Sequence, residues 1–241
     1  MSYIPVSYIK RDQMATLRNI FGYLPDRWQI SIKQILFAWK IKTGSFVSDE
    51  PEFSLIESVI HAGDNVIDIG ASVGVYTLKF SKLVGTSGRV YAFEPVPESF
   101  HHLTINTGLC SNRNVTLVNM AVSDTPRVTT MTIPRSSNHL RNYYLASIAA
   151  TELLVDVDRV QVFCFPLDMF NFPGRIRLVK IDVEGHEEAV LNGMKNLITR
   201  DKPVLIIESV LPGMSEWLSS QGYKRTNLAG SPNTIFECSR T

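Results

Sequence analysis

One segment constrains this chain more than any other: Asn65 to Phe80, which reads N-V-I-D-I-G-A-S-V-G-V-Y-T-L-K-F. Five residues with strand character lead into a loop holding Gly70 and Gly74, and a helical pattern begins at Val75. Strand, glycine loop and helix in that order open a mostly parallel sheet with crossover helices. Glycine at these positions lets backbone approach a ligand and permits φ values that a side chain forbids. The helix start beyond it supplies unpaired amide donors. Glu94 ends the next apolar run, about 24 residues after Gly70, where open α/β sheets place a carboxylate that accepts both hydroxyls of a ribose.

The same rhythm continues downstream. Strands are predicted at Asn65–Ile69, Arg89–Phe93, Val115–Val118, Arg177–Ile181 and Val204–Ile207. Helices are predicted at Phe53–Ile60, Val75–Leu83, Pro97–Leu109, Glu187–Ile198 and Met214–Gln221. Two β-like stretches, Arg127–Ile133 and Arg159–Phe165, bracket a polar and aromatic insertion, and the tail reads as a hairpin around A-G-S-P-N. With 241 residues, 44% hydrophobic and 20% charged, one decorated domain is expected, and disorder is excluded. No run approaches the ~18 apolar residues of a membrane span. Cys110, Cys164 and Cys238 are odd in number and widely separated, which argues against a disulfide framework and a zinc site. With Lys10, Arg11 and Asp12 close to the start, the chain reads as cytoplasmic.

The net charge of +1 conceals a split, because residues 1–42 hold seven basic and two acidic side chains. Residues 1–48 read as a helical extension acting as a lid, substrate contact or oligomer contact, and residues 49–241 as the main domain. In the extension Trp28, Ile32, Ile35 and Trp39 recur on one helical face. That stripe is expected to pack on the domain, with membrane contact or homo-oligomerisation as the alternatives.

The ligand follows from what is missing. G-x-x-x-G is not the G-x-G-x-x-G of a pyrophosphate loop, and no G-K-[ST] is present. Asp68, on the strand tip, would repel a phosphate. S-adenosylmethionine has no phosphate, carries cationic groups and still offers a ribose to Glu94.

At this point N-V-I-D-I-G-A-S-V-G-V-Y-T, V-Y-A-F-E-P-V-P-E-S-F, V-N-M-A-V-S-D and V-K-I-D-V-E-G-H-E-E-A-V-L-N-G together resemble the FkbM family of S-adenosylmethionine-dependent methyltransferases, over roughly Asp49 to Glu208. The resemblance implies a Rossmann-like class I methyltransferase, an α/β fold with a mostly parallel seven-stranded sheet and helices on both faces. It also implies O-methylation of a natural product, sugar or glycolipid. Carried over, Asp68, Gly70, Ala71 and Gly74 would line the methionine side, Glu94 would hold the ribose, and Ala121 would lie near the adenine. Ser72 stands where the family commonly has Asn.

A hydroxyl acceptor needs its proton removed by a base or a metal. Asp182, Glu184 and His186 follow the strand Arg177–Ile181, at the sheet edge where ligands bind. His186 could be the base, oriented by Asp182 or Glu184, and Asp182 would also touch the cofactor. Asp182 with Glu208 could hold Mg²⁺, though that reading is not favoured. The acceptor, a small molecule or glycan, is expected to meet the insertion Ile133–Val155. There Arg135, Arg141, Tyr143, Tyr144 and Ser147 could bind it, and His139 is a second candidate base.

Three other functions compete. A nicotinamide-dependent reductase lacks support, since none of the eight tyrosines has a lysine four residues later. A methyltransferase-like binding module without turnover, and RNA methylation through the basic extension, remain alternatives. No DNA partner is expected, because no N-P-P-Y-type motif occurs.

Overall fold

The computed structural model describes residues 24–135, 145–148 and 157–238. Two helices, α1 (Asp26–Thr43) and α2 (Glu52–Val59), precede the alternating part. They are followed by β1 (Asn65–Ile69), α3 (Val75–Val84), β2 (Arg89–Phe93), α4 (Pro97–Gly108), β3 (Val115–Val118), β4 (Ala121–Val122), β5 (Arg127–Pro134) and β6 (Val157–Phe165). The remainder is β7 (Ile176–Ile181), α5 (Glu187–Asn192), α6 (Lys195–Asp201), β8 (Val204–Ile207), α7 (Pro212–Ser220), β9 (Tyr223–Asn227) and β10 (Thr234–Cys238).

Seven strands form one sheet in the order β3-β2-β1-β7-β8-β10-β9, parallel except for β10, which runs antiparallel to both neighbours. Side chains alternate across it as a two-residue period requires. Ile67, Ile69, Val179 and Ile181 point into a core with α5, α6 and α7, while Val66 and Leu178 point the other way, toward α2 and α3. The order reverses between β1 and β7, and such a reversal opens a crevice beyond the carboxyl ends of the two strands. Asp68 and Lys180 are register partners across this seam, on the α2/α3 face.

A second sheet, β4-β6-β5, stands apart. Its stem is an antiparallel hairpin in unbroken register from Arg127↔Cys164 to Pro134↔Val157, and it carries the insertion at its tip. His139, Arg141, Tyr143 and Tyr144 lie outside the described residues.

The single helix expected over Glu187–Ile198 is two helices. At Gly193 a Cβ would stand 1.9 Å from the Ser123 carbonyl oxygen, so the chain presses bare backbone against β4's end and restarts as α6. Asp168 then caps α6, accepting from the amides of Asn196 and Leu197 at 2.9 Å each.

The aromatic stripe of α1 does not pack on the domain. Trp28, Ile32, Ile35 and Trp39 are exposed, and contact with α4 comes from the opposite face. Phe37 sits edge-on to His102 at 5.4 Å, Gln34 Nε2 lies 2.8 Å from His101 Nε2, and Lys33 pairs with Glu98 at 3.6 Å. The helix has two apolar sides, and Phe37, not the tryptophans, meets the domain. No helix among the described residues is long and apolar enough to cross a membrane.

Candidate functional site

Two adjoining cavities of about 250 and 270 Å³ open at the β1/β7 seam and share Glu50, Gly70, Ser72 and Asp182 in their walls. Close backbone packing shapes them. Gly70 has φ +78°, and a Cβ there would lie 1.8 Å from the Asp182 carbonyl oxygen. Both facts exclude a side chain. Gly70→Ala is therefore expected to destabilise the protein by at least ~4 kcal/mol, the range reserved for buried steric conflict. Gly213→Ala, where a Cβ meets nothing within 4 Å, is the matched control and should leave the melting temperature almost unchanged.

Glu94 ends β2, buried, in the wall of the first cavity. Its Oε2 accepts the Ser72 amide and its Oε1 the Val96 amide, each at 2.8 Å. Burial pushes its pKa up to about 7 against the opposing pull of these two amides. Phe93, Val96, Met120, Ala121 and Val122 line the same cavity, so a carboxylate stands beside an apolar slot. This arrangement suits a nucleoside, with the carboxylate toward ribose hydroxyls and the slot around the base. Ser72 holds the left-handed conformation, φ 49°, and contributes its amide to the Glu94 clasp. Asn tolerates that conformation better than Ser.

The second cavity has buried charges in its wall. Asp68 is buried and accepts from Thr77 Oγ1 at 2.6 Å; burial raises its pKa, while Lys180 and Thr77 oppose the rise. The buried Lys180 Nζ donates to Asp182 Oδ2 at 2.7 Å and lies 4.5 Å from the centre of the Tyr76 ring. Burial alone would lower the Lys180 pKa, but the carboxylates of Asp182 and Asp68 outweigh it and leave the pKa raised. The Tyr76 hydroxyl donates to Glu50 at 2.5 Å, placing a further acid in both cavity walls. Glu50, Tyr76 and Lys180 were not singled out from sequence. Lys180 stands inside the K-I-D-V-E-G block, directly beside residues that were, and is the one of the three with a readable signal.

Past β7 the chain turns sharply, with Glu184 at φ 50° and Gly185 at φ 88°. The turn brings carboxylate oxygens of Asp182, Glu184 and Glu208 within 4.8 Å of one another, in the wall of the first cavity. Glu184 thus joins the pair expected from sequence. Burial, then the charges of Asp182 and Glu184, push Glu208 up to about 7; burial, then the charges of Asp182 and Glu187, raise Glu184. Carboxylate oxygens are of the type that Mg²⁺ binds, and Asp182, Glu184 and Glu208 would be the residues to hold it.

His186 also lines the cavity, but its Nε2 lies 2.9 Å from Ser123 Oγ. The expected orienting partners, Asp182 and Glu184, are replaced by Ser123, whose hydroxyl reaches Asp124 at 3.1 Å. Burial lowers the His186 pKa. From the insertion, Ala146 and Ile148 reach the cavity, and the Ser147 hydroxyl donates to the Glu184 carbonyl at 2.8 Å. Arg135 is absent from the cavity wall and pairs with Asp158 at 2.7 Å on the facing strand.

Comparison with known proteins accords with this geometry. The model of the methyltransferase FkbM domain matches residues 68–225. The hexuronic acid methyltransferase AglP of Haloferax volcanii is 22% identical over 182 residues, covering 76% of this chain and 69% of that protein. The crystal structure of the methyltransferase FkbM from Methylobacillus flagellatus KT superimposes with a TM-score of 0.50 at 17% identity, covering 72% of this chain but only 43% of the other. A family model that spans all four strand-end acids, the glycine loop and most of the sheet leaves one conclusion: the chain belongs to the FkbM methyltransferase family.

Proposed function

We propose that the protein methylates a hydroxyl group of a neutral sugar or polyol, with S-adenosylmethionine as donor. The observation that carries this reading is the carboxylate trio Asp182, Glu184 and Glu208 in the same cavity wall as Glu94. Glu94 would hold the ribose, the apolar slot around Ala121 the adenine, and Asp68, Gly70, Ala71 and Gly74 the methionine side. The cofactor supplies an activated methyl group whose leaving sulfur departs uncharged. The chain's own work is alignment and proton removal. Carboxylates are strong acceptors for sugar hydroxyls, and Glu208, with its pKa pushed to about 7, is poised to take the acceptor proton as the oxygen–methyl bond forms. The hexuronic acid methyltransferase relative supports a sugar acceptor. A uronic carboxylate, however, would face repulsion at this trio, so the acceptor position itself is assigned to a neutral ring.

His186, bound to Ser123, is placed as a wall residue and not as the base. The wide separation of Cys110, Cys164 and Cys238 in the sequence supports a reducing, cytoplasmic setting.

The test combines binding with turnover. S-adenosylmethionine and its demethylated product should each raise the melting temperature, since a ligand at a hundred times its Kd stabilises by ~2.7 kcal/mol, whereas NADPH should not. Labelled methyl groups should then pass to neutral glycans in a panel that also contains uronic acids and RNA. Turnover is expected to survive EDTA, and loss restored by Mg²⁺ would assign the trio to a cation. Transfer only to RNA, or none to any hydroxyl acceptor despite cofactor binding, would overturn the reading.

A further inference from the structure

We propose that α1 docks the protein on an anionic lipid surface, lying in the headgroup region with its tryptophan face down. Trp28 is 56% exposed, Ile32 41%, Ile35 72%, Leu36 46% and Trp39 59%, five large apolar side chains on one helix with no domain beneath them. Isolated exposed apolar residues are ordinary, but a continuous stripe marks a contact surface. From Trp28 to Trp39 it runs about 16 Å at 1.5 Å per residue. The helix is committed on its other side, through Phe37, Gln34 and Lys33 to α4, so it cannot roll to bury this stripe without giving up those contacts.

Charge selects the occupant. Arg27 and Lys42 are exposed near the two ends of the stripe, with Lys40 half-buried beside Trp39. The helix, Asp26–Thr43, holds four basic side chains against one acidic, while residues 43–241 hold 17 basic and 21 acidic. An anionic surface therefore attracts this helix and repels the rest, which fixes an orientation. A second copy docked through the same face would bring two basic segments together. Nucleic acid would meet the cations but leave five apolar side chains in water. Tryptophan beside aliphatic residues, with flanking lysine and arginine, is the pattern of helices that lie at a bilayer interface. Val47, just past the helix, is exposed and also lines the second cavity, so docking would set the site's mouth near the lipid surface.

The test is co-sedimentation of the full chain with vesicles of phosphatidylcholine alone or mixed with phosphatidylglycerol. Binding to the anionic vesicles is expected, with a drop of about tenfold or more for Lys40→Gln/Lys42→Gln, near the usual contribution of two surface charges. Trp28→Ser/Trp39→Ser should lose binding to a similar degree while keeping its melting temperature, because neither ring supports the domain. In Trp217→Phe protein, the two remaining tryptophans should emit as solvent-exposed rings in buffer and be quenched by brominated lipid. No sedimentation with either vesicle would overturn the proposal. So would a dimer in sedimentation velocity that the tryptophan variant abolishes, which would give the face to a second copy. Emission already at a buried wavelength and unaffected by lipid would give the face to residues 1–23 and would overturn it equally.

Discussion

Glu94→Ala is expected to weaken S-adenosylmethionine binding by roughly 10²- to 10⁴-fold, measured by isothermal titration. Two hydroxyl–carboxylate hydrogen bonds, each contributing ~1.5–3 kcal/mol when one partner is charged, account for that range. The pH dependence gives a separate signature. Free Glu94 has a pKa of about 7, and only its ionised form accepts from both hydroxyls without surrendering an oxygen to a proton. Affinity should therefore fall as pH drops below about 7, by up to tenfold per unit. The stability of the ligand-free protein moves the opposite way. A carboxyl with a raised folded pKa holds its proton in the folded state over a window, from about 4.5 to 7, where the unfolded chain has released it. Stability from this group is fully present below that window and is lost as pH rises through it. Glu94→Gln should flatten both trends. A Kd for the alanine variant within threefold of wild type would remove Glu94 from the cofactor site.

The second large effect is expected at Asp182. Asp182→Asn should lower kcat by about 10²- to 10⁴-fold, the span usual for groups that position or deprotonate an acceptor. The asparagine variant is preferred to alanine, because Asp182→Ala would leave the buried Lys180 without its 2.7 Å partner and confound folding with catalysis. Turnover in the wild type should rise with pH through about 7 as Glu208 ionises. Burial is the first cause of that raised value and the Asp182 charge the second. The residual activity of Asp182→Asn should thus show its acidic limb displaced to lower pH, and Glu208→Gln should have no such limb. An unchanged limb in both variants would assign the proton to another group.

How much of this was legible beforehand depends on how local each feature is. β1, β2, β3 and β8 have the limits their apolar runs indicate, because a strand is written in contiguous residues. Asp68, Glu94, Asp182 and Glu208 share one rim because each closes a parallel strand or lies one residue from its end, and parallel strands end together. What failed to show was non-local. The break at Gly193 depends on Ser123, seventy positions away in the chain. The face of α1 that meets α4 could not be chosen from periodicity, since both sides of that helix carry large apolar groups. Glu50 reaches the cavities only because α2 and its preceding turn pack over the β1 face, where Tyr76 of α3 meets it. His186 found a hydroxyl partner in place of a carboxylate because β4 ends beside α5, an adjacency carried by the second sheet.

That second sheet has an evolutionary consequence. Its hairpin stem is zipped through eight successive register pairs before the chain leaves for the acceptor side, while every backbone contact of the Glu94 clasp lies elsewhere. The tip can therefore lengthen, shorten or be exchanged at Pro134 and Val157 without disturbing the Glu94 clasp, while Ala146 and Ile148 of the cavity wall change with it. A lineage built this way can change what it modifies by recombination at one stem, keeping a single donor chemistry as common inheritance.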